Sequence, residues 1–395
     1  MGVPTLADLP ITRGSRVLVR VDHNVPLGEN GQVGDDTRIV ESLPTLRALV
    51  GRGAVAIVLS HLGRPQGVSD PALSLAPVAA RLQQLMDAPV SFVPATVGPD
   101  ADRAVASAPP GSVVVLENLR FHRGETGNDP AFADALARMG QFYVNDAFGT
   151  AHRAHASTVG LPARLPAAVG LLVERELHAL DDLRRGPPRP YWAIIGGAKV
   201  ADKITLLQRL LGQVDGLAIG GGMANTFLAA TGHSVGASRI EADQLEGAQA
   251  LVAAAGTRLV LPEDVVVASA FAADAARRVV PVDAVAPDEW VMDVGPRTLE
   301  RWARALAAAA TVFWNGPLGV FEWPPFAEGT LGTARLLAQL SARVVVGGGD
   351  SGAAVAQAGL ARQFAHVSTG GGAALAYVQG RAMPGLAALA KGGAR

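Results

Sequence analysis

The chain has 395 residues, 49 % hydrophobic and 17 % charged, with a formal net charge of −1 and no cysteine. That length asks for two domains, each with its own core, and the near-neutral charge gives no reason to expect nucleic acid or an anionic membrane as partner. The missing thiols exclude disulfides, thiolate metal sites and a cysteine nucleophile. Residues 1–10 do not read as a signal peptide and the apolar run 305–314 is too short to span a bilayer, so the default setting is the cytoplasm.

Short β-branched runs alternate with Ala/Leu/Arg segments of helical length, which predicts βα units around parallel sheets. In the first half the strands are expected at 16–21, 54–60, 112–116 and 141–144. Polar clusters follow them. Asp22-His23-Asn24 follows the first strand, and Arg38 comes soon after in Asp35-Asp36-Thr37-Arg38. His61-Leu62-Gly63-Arg64 follows the second, Asn118-Leu119-Arg120-Phe121-His122-Arg123 the third, and the run from Asn145 to His155 the fourth. Five histidines (23, 61, 122, 152, 155) and five arginines (38, 64, 120, 123, 153) should therefore meet on one rim. Such a rim suits bidentate recognition of a small phosphorylated carboxylate. A histidine metal site competes with that reading but has no H-E-x-x-H frame.

Between the halves, 173–185 reads as a charged amphipathic helix that stops at Gly186-Pro187-Pro188. The domains are expected as 1–172, a linker at 173–188, then 189–380, with a tail at 381–395 that could pack back on the first domain. In the second half the strands are expected at 192–195, 217–219, 258–261, 311–314, 343–346 and 364–367. Four of them run into glycine turns that open helices: Gly196-Gly197-Ala198-Lys199, Gly220-Gly221-Gly222, Gly347-Gly348-Gly349-Asp350-Ser351 and Gly370-Gly371-Gly372. Glycine there lets backbone approach a ligand, and a helix N-terminus favours phosphate.

Of 34 basic residues only three are lysine, and two of these, Lys199 and Lys203, stand four apart; on a helix they would share one face. Gly347, Gly349 and Gly352 fit a dinucleotide pattern, but no acidic residue follows Asp350 to hold a ribose. Asp350 reads either as a helix cap or, more plausibly among phosphate-facing backbone, as a Mg²⁺ ligand. Glu322, after Asn315-Gly316-Pro317, could accept from ribose hydroxyls.

These motifs resemble the phosphoglycerate kinase family from about Arg16 to Gly372: V-D-H-N-V-P, D-D-T-R-I, H-L-G-R-P, N-L-R-F, V-N-D-A-F-G-T-A-H-R-A-H, G-G-A-K-V-A-D-K, G-G-G-M-A-N-T-F, W-N-G-P-L-G-V-F-E, G-G-G-D-S and S-T-G-G-G-A. The resemblance implies two doubly wound, Rossmann-like α/β domains joined by a hinge helix. It implies reversible phosphoryl transfer between 1,3-bisphosphoglycerate and ADP, giving 3-phosphoglycerate and ATP, with Mg²⁺, in a monomer. Substrate contacts would be Asp22, His23, Asn24, Arg38, His61, Leu62, Gly63, Arg64, Arg120 and Arg153, although strand alternation points the His23 side chain away. Nucleotide contacts would be Lys199, Lys203, Gly221, Gly222, Asn315, Pro317, Glu322, Gly348, Gly349, Asp350 and Ser351, with Asp350 on the metal. The group in transit would meet Arg38, Lys199, Lys203, Gly371 and Gly372. Three positions depart from the family pattern: His23 replaces Phe, Ser351 replaces Thr, and 373–376 lacks the usual Ser and Glu. An acetate-type kinase and a nucleotide-binding regulator without turnover remain the competing readings.

Overall fold

In the computed structural model, which describes residues 2–201 and 203–392, the chain divides into two compact units: Met1–His178 with Gly380–Arg395, and Ala179–Gln379. The first unit is built on β1 (Arg16–Val21), β2 (Val55–Leu59), β3 (Val90–Val93), β4 (Val113–Leu116), β5 (Phe142–Asp146) and β6 (Ala167–Val169). They form one parallel sheet in the order β3-β4-β2-β1-β5-β6. Every residue of β2 and β4 is buried, as expected of strands covered by helices on both faces. From β1 the chain builds toward β2, and from β5 it builds the other way toward β6. The connections diverge between β1 and β5 and leave a crevice at their C-terminal ends.

The second unit carries β7 (Tyr191–Ile195), β8 (Gly216–Ile219), β9 (Leu259–Val260), β10 (Asp264–Ala268), β11 (Arg277–Pro281), β12 (Trp290–Val294), β13 (Thr311–Asn315), β14 (Arg343–Gly347) and β15 (His366–Val367). Six of them form a parallel sheet, β15-β14-β13-β7-β8-β9, whose connections diverge between β7 and β13. The other three form a separate antiparallel sheet, β11-β10-β12, around a small core of Val265, Val267, Val280 and Leu228. The βα pattern gives no hint of that sheet. No helix separates β10 from β11, and β11 is exposed at four of five positions, so it has no apolar run to read. In the first unit β3 and β6 also escape the pattern, one being only half-buried and the other only three residues long.

The helix Leu171–Arg185 leads from one unit into the next. It starts two residues before the predicted position because the buried Asp146 accepts from the amides of Leu172 (2.9 Å) and Val173 (3.4 Å) at its first turn. At the other end of the chain, the helix Pro384–Gly392 packs on 156–160 and β6, and Gly385 N donates to Ala151 O (3.0 Å). Among the described residues no helix is long and apolar enough to cross a membrane.

Candidate active site

In the second unit all four predicted glycine turns fall at strand C-termini around the divergence between β7 and β13. They do two different jobs. At the crossing of the β7 and β13 loops, backbone packs on backbone: a Cβ on Gly196 would meet Pro317 O at 2.1 Å, and one on Gly316 (φ 92°) would meet Gly196 O at 2.3 Å. By contrast a Cβ added to Gly349, Gly371 or Gly372 would meet nothing within 4 Å, so their peptide faces lie open. Those open faces border a cavity of about 330 Å³, which Lys199, Lys203, Asp350 and Ser351 also line. The helix Gly349–Gln357 begins at its edge, so free N–H groups and a positive dipole end face it.

A second cavity of about 460 Å³ shares Gly197, Ala198, Pro317 and Asp350 with the first. Its walls are mostly apolar, among them Leu228, Val265, Met292 and Leu318, and Gly221, Gly222 and Glu322 line it too. A charged, backbone-lined cavity running into an apolar one fits a polyphosphate joined to a flat organic group.

The two lysines do not share a helix face, which corrects the sequence expectation. The helix begins only at Ile204, with Lys203 at its N-cap and Lys199 in the preceding turn. Asp202 of the same motif lies outside the described residues. Lys199 is exposed at the cavity wall, whereas Lys203 is held from below. Its Nζ donates to Gly196 O and to Asn315 Oδ1, both at 2.6 Å. Asn315, buried at the end of β13, also donates from Nδ2 to Gly347 O at 2.7 Å. One amide thus ties the ends of β7, β13 and β14 to a single ammonium. Ser351 is buried as well, and its Oγ accepts from Gly316 N at 2.6 Å. The side chains of Asn315 and Ser351 therefore hold the turns in place. Asp350 keeps an exposed carboxylate in the first turn of its helix, on the wall both cavities share. Asp350 is the only carboxylate among the described residues lining the smaller cavity, and such a group beside open amides fits Mg²⁺, which binds through one or two carboxylates and phosphate oxygens.

In the first unit Arg64, Arg120 and Arg153 come together with Arg123 and His155 around a cavity of about 530 Å³. Burial and the neighbouring Arg153 and Arg20 push the Arg120 guanidinium down to about 10. Cations crowded enough to perturb one another mark a place built for an anion. Arg120 Nη1 donates to Gly63 O (2.6 Å), Asn24 Oδ1 accepts from Gly63 N (2.8 Å), and Leu62 O accepts from Asn118 Nδ2 (2.7 Å). Leu62 and Gly63 thus fix the loop through their backbone. Arg38 pairs with Asp22 at 2.9 Å.

The expected rim of five histidines is wrong in two places. His23 is fully buried, its Nε2 2.9 Å from Ser42 Oγ, and burial pushes it down to about 3. His122 caps a helix by accepting from Gly124 N at 3.0 Å and stacks on Phe132 at 4.1 Å. The His23 side chain therefore belongs to the core and is withdrawn from the substrate contacts.

Sequence reasoning also missed residues. Phe271, Trp290, Met292 and Asp293 line the apolar cavity from the antiparallel sheet and its loops. None belongs to a glycine turn or a cation cluster of the sequence, and only the fold brings them to the glycine turns. Arg20, fully buried within β1, was readable as a charge set between valines inside the strand.

An arginine pocket on one parallel sheet, and on another a backbone cradle leading to an apolar cavity, define an α/β phosphotransferase. The comparisons narrow the class. The phosphoglycerate kinase family model matches residues 6–381. The chain is 53 % identical to the phosphoglycerate kinase of Chloroflexus aurantiacus over 385 residues, covering 95 % of this chain and 96 % of the relative. It is 52 % identical to that of Moorella thermoacetica, covering 98 % of each. Among solved structures, the phosphoglycerate kinase from Coxiella burnetii is similar with a TM-score of 0.86 at 39 % identity, covering 98 % of each chain. That from Pyrococcus horikoshii gives 0.89 at 30 %, covering 98 % of this chain and 99 % of the other. The chain belongs to the phosphoglycerate kinase family, and is thus a kinase whose acceptor is a carboxyl group.

Proposed function

We propose that the protein catalyses reversible phosphoryl transfer between 1,3-bisphosphoglycerate and ADP, with 3-phosphoglycerate bound by the arginine pocket and the nucleotide by the two joined cavities. The observation that carries this reading is the continuity of the lysine- and amide-lined cavity with the apolar one, the shape of a nucleotide rather than of a lone anion. The arginine pocket argues against an acetate-type acceptor, because a substrate without a phosphate would not need Arg64, Arg120 and Arg153 together.

In the direction of acyl phosphate formation, a carboxylate oxygen of 3-phosphoglycerate attacks the terminal phosphorus of ATP as the bond to the ADP oxygen breaks. The carboxylate is already ionised at neutral pH, so no base is required. What the transition state needs is positive charge facing its three negatively charged equatorial oxygens. Lys199, exposed and mobile on its stem, would follow the group in transit; Lys203, fixed by Asn315 and Gly196, would hold the nucleotide phosphates. The open amides of Gly371 and Gly372 and the guanidinium of Arg38 would complete the cradle. Mg²⁺, held by Asp350 with the nucleotide, would supply charge neutralisation on the phosphate oxygens. We propose further that the helix Leu171–Arg185 serves as a hinge, that closure excludes the water that would hydrolyse the acyl phosphate, and that one copy in the cytoplasm suffices, since each chain carries both sites.

The test is a coupled assay with 3-phosphoglycerate and Mg-ATP. Turnover linear in enzyme is expected. Absence of turnover while calorimetry registers both ligands would overturn the kinase reading.

A further inference from the structure

Each of the three guanidinium nitrogens of the buried Arg20 of β1 has a partner. Its Nε donates to Ser157 Oγ at 2.9 Å, Nη1 donates to Val21 O, and Nη2 lies 3.1 Å from His61 Nδ1. The direction of these bonds is set from the far end. Glu125, fully buried, accepts from Ser157 N (3.0 Å) and from Ser157 Oγ (2.6 Å). Although burial opposes the charged form, His155, Arg20 and Ser157 hold the Glu125 carboxyl below its usual range, so it is an acceptor only. The Ser157 hydroxyl proton therefore goes to Glu125, and its lone pairs face Arg20.

A guanidinium has no acceptor and does not lose its proton in proteins. The contact between Arg20 Nη2 and His61 Nδ1 is then a hydrogen bond only if Nδ1 is bare. A proton on Nδ1 would point a donor at a donor beside a fixed positive charge. The nearby Asp22 cannot take it, since Oδ1 is 3.9 Å from Nδ1, beyond hydrogen-bond reach. The opposite nitrogen, Nε2, has no hydrogen-bond partner among the described residues and is not among the sealed unpaired atoms, so it is the ring edge left open. Burial and the charges of Arg20, Arg120 and Arg153 act in the same sense, keeping the ring neutral despite Asp22.

We propose that Arg20 is a positioning residue that locks His61 in the Nε2–H tautomer, so that the ring serves the substrate's anionic group as a neutral hydrogen-bond donor. This rests on the reading of the arginine pocket as the 3-phosphoglycerate site. A neutral donor suits that place. It adds a directed bond beside Arg120 and Arg153, whose charges already reach the ring, without a further cation to repel them.

The experiment is long-range ¹⁵N–¹H correlation on uniformly labelled protein, with His61 assigned by the loss of its signals in His61→Asn. The expected spectrum has a protonated, pyrrole-type Nε2 and a bare, pyridine-type Nδ1 at pH 7. A protonated Nδ1, alone or together with Nε2, overturns the proposal. Adding 3-phosphoglycerate should then shift Nε2 and its proton. No shift, while calorimetry registers binding, overturns the donor role. Absence of any 3-phosphoglycerate binding instead sinks the functional reading and leaves the tautomer result standing on its own. In kinetics, Arg20→Met should raise KM for 3-phosphoglycerate roughly 5- to 10-fold, the loss of about one directed hydrogen bond. Arg20→Gln, whose amide can still donate to Nδ1, should recover part of it. An unchanged KM in folded Arg20→Met refutes the proposal; should Arg20→Met not fold, the wild-type spectrum decides.

Discussion

Replacing Asn315 by alanine removes two hydrogen bonds at the junction of three strands. The bond to Lys203 Nζ (2.6 Å) has a charged donor, for which about 2 kcal/mol is typical; the bond to Gly347 O (2.7 Å) is neutral and contributes about 1 kcal/mol. Asn315 is buried, so water cannot readily replace either partner. A loss of about 3 kcal/mol in the second unit is expected. With a urea m-value of about 2.5 kcal/mol/M, this lowers the midpoint by about 1 M. The assay can be specific to that unit, because all five tryptophans (192, 290, 302, 314, 323) lie in it. Tryptophan fluorescence against urea reports its unfolding alone. The same variant should weaken Mg-ATP binding, because Lys203 loses one of the groups that aim it. Asn315→Asp separates the two effects. It keeps an acceptor for the ammonium and so recovers part of the stability, but it puts an anion beside the phosphates and should bind nucleotide worse than alanine does. A midpoint within 0.2 M of wild type (about 0.5 kcal/mol) for Asn315→Ala would refute the idea that this amide ties the turns together.

Lys199→Ala should lower kcat by roughly 10²- to 10³-fold with KM for ATP changed far less, because its contact forms with the group in transit. A rise in KM alone would reassign it to ground-state nucleotide binding. Gly316→Ala should fail to accumulate as folded protein, since its Cβ would sit 2.3 Å from Gly196 O at φ 92°; Gly349→Ala, with nothing within 4 Å, should fold normally and lose only nucleotide affinity by titration calorimetry. Asp350→Asn should raise the Mg²⁺ concentration needed for half-maximal ADP binding about tenfold, and an unchanged Mg²⁺ titration would remove Asp350 from the metal. Asp293 is held by Gly329 N (2.6 Å) and Val294 N (2.9 Å), yet burial pushes it up to about 8. Between its unfolded value near 4 and about 8 the native state holds the extra proton, so this group's contribution to stability is present at low pH and is lost as pH rises through that window. The pH dependence of the urea midpoint should therefore flatten in Asp293→Asn; an equal slope in both proteins would show that Asp293 titrates normally.

Most of the chemistry was legible without coordinates. Lysine is scarce here, so the pair at 199 and 203 stood out, and glycines at four strand ends marked a backbone-made site. Local patterns of this kind are readable because strand ends, turns and helix starts each impose their own residue types. The three-stranded antiparallel sheet was not legible. Its exposed β11 has no periodic apolar face, and its wall of the apolar cavity comes from ordinary core residue types.

The sequence by itself determined that the chain builds two parallel α/β sheets, and it determined the kinds of residue that gather at their strand ends. Apolar periodicity, glycine turns and clustered cations are properties of neighbours along the chain. Only the tertiary structure decided which residues of a motif line the open cavity and which hold the others in place. Lys203 and Asn315 stand 112 positions apart, Arg20 and Ser157 137, yet each pair is hydrogen-bonded. No local pattern encodes such a pairing. It exists because parallel strands bring distant strand ends side by side, and because a buried polar group must find its partner there.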